Sequence, residues 1–353
     1  MRVVLTLLAR DEADVVEWQL LYHFARGIDF VVATDHRSVD GTSEILQRFA
    51  AEGRLRYIRD DSERISQADQ MTRMARIAAT EHAADWVIPS DADEFWWPRR
   101  GTIHEVLEAI PAQVGVVRGF IRTFAPRPED DRLFFERMTF LARPVADHED
   151  IYQPNVHVVH RAHPTISVIR GFHDAHGDGL GRLIRTWCPF EVLHFPNRTA
   201  AQSERKYKQG FHAWIGAERG GRHIQAAYRV LEATGRDELW DRRVVDGEKL
   251  ETGLRDGAFT EDTRLRDVLR DIQHGRPLND LGATRELDAQ FHSELGAMGM
   301  NDAASRLLSQ TNELARRVSA LQTACGFARA DQGARPGTLA SPNEARDDAA
   351  RPR

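Results

Sequence analysis

The chain has 353 residues, 41% hydrophobic and 29% charged, which is ample for a sizeable core in one large domain or a domain with appendages. A formal net charge of −6 argues against general nucleic-acid binding, and leaves basic clusters such as Arg99-Arg100 and Arg205-Lys206 to meet a small local anion. The two cysteines, Cys188 and Cys325, lie far apart in unlike settings and support neither a disulfide framework nor a zinc–thiolate site, so a reducing cytoplasm fits best.

The apolar start, Val3 to Leu8, is interrupted by Arg10, Asp11 and Glu12 well short of a membrane span and lacks a small-residue cleavage site. It reads as a buried first strand in a protein neither exported nor integral. Next, Val15, Trp18, Leu21 and Tyr22 stand at helical spacing, with Gly27 as the stop. Residues 30–34, FVVAT, form a second strand, after which Asp40 caps a helix that ends at Gly53. LRYIR is a third strand. Ser66, with Asp69 three residues on, opens a further amphipathic helix, and WVIPS makes a fourth strand. Strands alternating with helices predict βαβ units and a parallel sheet.

From about residue 114 to 195 the runs VGVVRGFI, RLFFERMTFL, NVHVVHRA, TISVIRG and FEVLHF read as strands of an antiparallel or mixed extension, with Val156, Val158 and His160 marking a half-buried one. Beyond it the pattern is helical, beginning with TAAQSERKYKQGFHAWIGAE and ending with DAASRLLSQTNELARRVSALQ, whose leucines are loosely spaced like a coiled coil. From Asp331 onward Pro, Gly, Ala and charge predict disorder.

The chemistry concentrates in WVIPSDADEFWWP, where an apolar strand runs into Asp91, Asp93 and Glu94. Carboxylates this close repel one another at the edge of a core unless a cation or a set of donors neutralises them, and a divalent metal is the economical answer. The segments Ala9-Arg10-Asp11-Glu12, Thr34-Asp35 through Thr42, and Ser90 through Phe95 each end a strand on the same sheet edge, where open α/β sheets bind ligands. A lone D-x-D is a weak signal and usually a solvated turn, but its setting here favours function. The tryptophans that follow belong to a core edge more often than to a sugar platform.

These residues resemble family 2 glycosyltransferases of the GT-A fold: R-N-E-like residues after the first strand, D-x-x-S-x-D-G-T, and D-A-D-E-F. The resemblance is to the subgroup with an E-W-x-x-x-H element, here Glu17-Trp18 with His23, and it covers roughly the first hundred residues. The usual Asn is Asp11 here. The implied fold is a Rossmann-like mixed sheet flanked by helices with a helical C-terminal extension. Its divisions are residues 1–200 for the transferase domain, 201–325 for the helical region and 326–353 for the tail. The implied activity is transfer of a sugar, with inversion, from a nucleotide-diphosphate donor such as a UDP- or GDP-sugar to a glycan, lipid-linked or protein acceptor.

Mg²⁺ or Mn²⁺ held by one or two carboxylates would carry the charge of the donor diphosphate, and Asp91 and Asp93, two apart, suit this. By the resemblance Asp93 is the principal metal ligand, Asp91 contacts the ribose or a metal-bound water, Asp35 hydrogen-bonds the base, and Arg10 and Glu12 flank the nucleotide. Asp40 has a sufficient structural role as a cap. In the second half, His194 through Arg198 and the following helix resemble the subgroup's H-[YF]-x-x-[RK]-[ST] element. His194 is then a candidate to complete the metal sphere and Arg198 or Lys206 to hold the diphosphate, against a buried histidine and a solvated basic helix face as the plain alternative. Gly171 to Asp174 resembles a G-x-H element and adds His173.

The catalytic base is left among Asp150 with Glu149, the similar pair Glu129-Asp130, and Asp174; each alone reads as a loop carboxylate. Structural zinc at His157, His160 and His163 is disfavoured, since His157 and His160 point to opposite faces of a strand. Two other classes stay in view. A nucleotidyltransferase would call for a Gly-rich loop after the first strand, where this chain has ARDEAD. A non-catalytic scaffold would keep the fold and assemble through its C-terminal helices. Self-association and a peripheral contact with a membrane are left open.

Overall fold

The computed structural model describes residues 1–63, 66–144, 154–183, 187–214, 222–235, 238–278 and 283–298. The strands are β1 (Val3–Ala9), β2 (Phe30–His36), β3 (Leu55–Asp60), β4 (Trp86–Asp91), β5 (Glu94–Pro98), β6 (Val114–Thr123), β7 (Phe140–Ala142), β8 (Val156–Arg161), β9 (Ser167–Val168), β10 (Ala175–His176), β11 (Arg182–Leu183), β12 (Phe190–His194) and β13 (Phe259–Glu261). The helices are α1 (Val16–Ala25), α2 (Thr42–Ala51), α3 (Gln67–Glu81), α4 (Ile103–Glu108), α5 (Phe134–Arg137), α6 (Ala200–Trp214), α7 (Arg222–Thr234), α8 (Glu238–Arg243), α9 (Gly247–Arg255), α10 (Arg264–Gln273) and α11 (Arg285–Ala297).

The main sheet runs β3-β2-β1-β4-β8-β6-β12-β5, with β11 beside β6. Its first four strands are parallel and β8 is antiparallel to both neighbours, so the expected mixed α/β sheet with flanking helices is what the chain forms. β1 sits between β2 and β4, and its side chains alternate between two cores. Val3, Leu5 and Leu7 pack with Val16, Leu20 and Tyr22 of α1, while Val4 packs with Met71, Met74 and Ala75 of α3. Covering both faces is why the strand reads as an unbroken apolar run rather than an alternation.

Several boundaries follow the predicted signals. Gly27, at φ +101°, turns the chain out of α1, and the Ser66 hydroxyl accepts the Asp69 N–H at the start of α3. Others differ. The N-cap of α2 is Gly41, at φ +105°, not Asp40; the Asp40 carboxylate instead accepts the Thr42 N–H at 3.1 Å and hydroxyl at 2.6 Å, and the Ala13 N–H at 3.1 Å. RLFFERMTFL is not one strand but the short helix α5 followed by β7, because Phe134 and Phe135 turn into the aromatic core around Phe95 and Phe195. β8 is buried on both faces rather than half-buried. EFWWP, which reads as an aromatic exit from the acidic turn, is the edge strand β5, antiparallel to β12.

No helix among the described residues is long and apolar enough to cross a membrane. The predicted helix from Asp302 and the predicted disorder from Asp331 lie outside the described residues, as do the divisions drawn at 325 and 326.

Candidate functional site

Register places the site. Ala9 pairs with Asp35 and Leu8 with Asp91, so the ends of β1, β2 and β4 are level at one edge of the sheet. The turn at Ala92-Asp93 leads straight into β5, whose Glu94 is level with His194 at the end of β12. Residues a hundred positions apart are thereby fixed beside one another, and α6 begins a few residues beyond His194.

Asp93 is the focus, with its side chain 3% exposed. Its Oδ2 accepts the Lys206 Nζ at 2.7 Å and lies 3.8 Å from the Arg198 guanidinium, and its Oδ1 is 3.7 Å from His194 Nε2. Burial would push this carboxyl up, but Lys206, His194 and Arg198 outweigh it and hold it well below the usual carboxylate range. His194 is pulled down to about 4, by burial above all, and is neutral near pH 7.

Asp91 is different. Burial, then the negative charges of Glu94 and Asp93, push its carboxyl well above its ordinary value. Its backbone N–H donates to Glu94 Oε2 at 3.2 Å, whereas its own carboxylate is given no donor among the described residues. Glu94 is also raised by burial and by Asp93, and it meets the His157 Nδ1 at 3.1–3.2 Å. His157, lowered to about 3 by burial, stays neutral, so its ring and the Glu94 carboxyl meet as a hydrogen-bonded pair rather than as two full charges. His157 was weighed for zinc in the sequence; its structural partner is a carboxyl group. Behind it stands His173, its ring 5.5 Å away and its Nδ1 donating to the Val156 carbonyl at 2.8 Å.

Arg198 is fully enclosed. Its guanidinium grips Asp14 with two hydrogen bonds of 2.7 and 2.9 Å, Glu12 with another, and the Phe195 carbonyl at 2.9 Å. That engagement makes it an anchor for the loop after β1, while Lys206, the other basic residue beside Asp93, is 38% exposed. Burial raises Glu12 to about 7 despite Arg198, since Asp93 and Asp14 add to the effect.

Three side chains of α6 at i, i+4 and i+7 face this loop and the acidic turn. The Gln202 Oε1 accepts the Arg198 N–H at 3.0 Å, Lys206 meets Asp93, and the Gln209 amide donates to Asp11. Asp11 sits at φ +54°, a left-handed conformation that Asn and Asp tolerate best. Its carboxylate also accepts the Val39 N–H at 2.7 Å, so both oxygens serve as acceptors where an Asn would offer one. Asp14, Gln202 and Gln209 were missed in the sequence; the polar i, i+4, i+7 stripe was the available signal for the glutamines.

Asp35 is brought to the same edge but is 0% exposed. It accepts the Ser38 N–H at 3.0 Å, the Tyr57 hydroxyl at 2.8 Å and Arg59 at 2.8 Å, as well as the Ser43 hydroxyl. Burial works against its charge, and the hydrogen bonds from Ser43, Ser38 and Tyr57 overcome it. Arg10 reaches His36 Nδ1 at 3.4 Å, and its guanidinium is lowered by burial first. His23 is a core residue: its Nε2 accepts the Trp96 N–H at 3.1 Å, so Nδ1 carries the proton given to the Gln19 carbonyl at 2.8 Å.

Among the candidate bases, Glu149 and Asp150 lie outside the described residues. Glu129 accepts the Ala200 N–H at the start of α6 at 2.7 Å, and Asp130 pairs with Arg132 and Arg137. Asp174 stands between β9 and β10 with Oδ1 on the Ala175 N–H at 2.9 Å.

Among the described residues no group of three His, Cys, Asp or Glu side chains is disposed to hold a metal ion, so Asp91, Asp93 and His194 are not a preformed triad. The donor set fits another kind of ion site. The Asp91 carboxylate has no donor among the described residues and is raised by burial and its acidic neighbours, Asp93 is ionised, and Mg²⁺ or Mn²⁺ commonly binds through one or two carboxylates with water and substrate oxygens completing the sphere.

No family model matches the chain, and no curated protein does. Solved structures with a similar trace include S. aureus TarS 1–349 in complex with UDP, 12% identical over 67% of this chain and 72% of that one, with a TM-score of 0.33. The same protein in complex with UDP-GlcNAc is 11% identical over 67% and 73%, with a TM-score of 0.34. Glucosyl-3-phosphoglycerate synthase from Mycobacterium tuberculosis, in complex with Mn²⁺, UDP and glucosyl-3-phosphoglycerate, is 20% identical over 34% of this chain and 44% of that one, with a TM-score of 0.25. Overlaps this partial leave the site to be read from its own side chains.

Proposed function

We propose that the chain is a nucleotide-sugar glycosyltransferase of GT-A type that moves a sugar, with inversion, from a nucleoside-diphosphate donor to a glycan, lipid-linked or protein acceptor. The observation that carries this reading is the cluster at the sheet edge, where the ionised Asp93, and Asp91 with no donor to its carboxylate among the described residues, stand beside the partly exposed ammonium of Lys206. A donor diphosphate needs positive charge to bind and more as the sugar leaves, and its oxygens suit such a site. A divalent ion held by Asp91 and Asp93, with His194 beside them, would supply that charge. Lys206 supplies a further positive charge to the diphosphate, and Arg198 fixes Glu12 and Asp14 as one wall of the cleft. The end of β2, with Asp35, and the loop after it, with the solvent-facing Val39, would form the wall nearest a base.

Thermal melting against UDP, GDP and CDP, each with and without Mn²⁺, tests the reading, because a ligand bound only by the folded chain raises its melting temperature. A rise that needs one nucleotide and the metal together, and that Asp93→Ala abolishes while keeping its far-UV spectrum, is the expected result. A chain indifferent to every pair would be a binding scaffold rather than a transferase.

A further inference from the structure

The ammonium of Lys206 and a divalent ion would claim the same carboxylate. Asp93 has one direct hydrogen-bond donor among the described residues, the Lys206 Nζ at 2.7 Å. Arg198 stands farther off at 3.8 Å and is committed to Glu12, Asp14 and the Phe195 carbonyl. His194 is 3.7 Å from the other oxygen. The two cations differ in freedom. Arg198 is 0% exposed and held on every side, whereas Lys206 enters from the rim of α6, 38% exposed, with the Pro196 carbonyl at 3.3 Å its one further acceptor among the described residues. A four-carbon stem lets its compact charge swing by several ångströms without moving the helix.

We infer that Lys206 is an exchangeable internal counter-ion: it holds Asp93 ready while the cleft is empty, releases it when a divalent cation enters, and carries its ammonium to the diphosphate oxygens of the donor. The exchange answers an electrostatic problem. Three cationic groups crowded on one carboxylate would repel one another, while a diphosphate arriving beside Asp91, Glu94 and Glu12 needs every positive charge within reach. Moving Lys206 solves both, and it couples metal entry to donor entry because each step favours the other. The inference deepens the transferase reading and rests on it.

The test is direct binding of Mn²⁺ alone, followed by the paramagnetic signal of the free ion, to the full chain and to Lys206→Met. With the competing ammonium gone, Mn²⁺ should bind the variant about 10-fold more tightly without nucleotide, while the nucleotide that stabilises the wild-type chain should bind the Mn²⁺-loaded variant about 10-fold more weakly. Lys206→Gln, which keeps a hydrogen-bonding head without the charge, should give the same pair of changes and serves if the methionine variant does not fold. Mn²⁺ affinity that stays equal or falls in both variants overturns the exchange even where nucleotide binding persists. Failure of every nucleotide to bind wild type with Mn²⁺ brings down the transferase reading, and the exchange with it.

Discussion

Strand β12 carries a buried charge cluster at each end, and the two are built differently. At its start, Glu191 receives Arg264 through two hydrogen bonds of 3.1 Å and Arg122 through one of 3.0 Å, with Asp262 and Glu294 balancing those guanidiniums. Burial alone would raise the Glu191 carboxyl; Arg264 and Arg122 bring it down to about 2. At the other end, beside His194, the carboxyl groups of Glu12, Asp14, Asp91, Asp93 and Glu94 share, among the described residues, the two cations Arg198 and Lys206. One cluster completes its charges within the chain and ties β6, β12, α10 and α11 together. The other leaves carboxyls raised and a lysine at the rim, which is what a site awaiting a charged ligand requires.

The largest effect expected from this contrast is at the closed end. Glu191→Ala should lower the unfolding free energy by about 3–5 kcal/mol, since it leaves buried guanidiniums uncompensated. Urea unfolding measures it, and a cost below about 1 kcal/mol would mean that the cluster is not the clamp described. Asp93→Asn should do the reverse, reducing transfer by about 10²–10³-fold while costing less stability than Glu191→Ala. Lys206 can turn to water, Arg198 keeps Glu12 and Asp14, and removing one negative charge relieves Asp91 and Glu94. A stability loss equal to that of Glu191→Ala would erase the distinction.

The histidines add a pH dependence shared between the sheet and the cleft. His23 and His157 are lowered to about 3 and His160 and His194 to about 4, in each case chiefly by burial. The unfolded chain protonates them near 6.5, so between that pH and about 4 it binds more protons than the folded chain. Their stabilisation is therefore complete above pH 6.5 and is lost as pH falls toward 4. Each histidine contributes up to ~1.4 kcal/mol per pH unit to this slope. His23→Gln, which can still accept from Trp96 and donate to Gln19, should remove one such share from unfolding curves taken between pH 4.5 and 6.5. An unchanged slope would show that His23 is not held neutral.

The parallel half of the sheet was legible in the sequence because each strand is a short apolar run bounded by a turn signal and followed by a helix of regular period. The acidic edge was legible for the same reason, since strand ends of a parallel sheet must meet. The strand β5 was not, because all of its residues are buried and an unbroken E-F-W-W-P has no alternation to betray it; its partner β12 lies about a hundred residues on. Arg198 shows a further limit. Sequence marks it as a basic residue near a phosphate-sized task, but only the fold reveals that Asp14 and Glu12 already enclose it.

Asp35 supplies the smallest test and a discriminating one, because it is a closed carboxylate on the open side of the molecule. Its donors are Ser38, Ser43, Tyr57 and Arg59, and a nucleobase would have to displace one of them or bind to the assembly as it stands. Tyr57→Phe removes one donor and leaves the ring, so a fully committed carboxylate should lose about 0.5–1.5 kcal/mol in urea unfolding. If Tyr57 is part of a rigid base-binding wall, the same variant should also weaken nucleotide binding severalfold. A variant as stable as wild type would show that the Tyr57 bond is dispensable, the same Asp35 oxygen still accepting from Arg59 and the Ser43 hydroxyl.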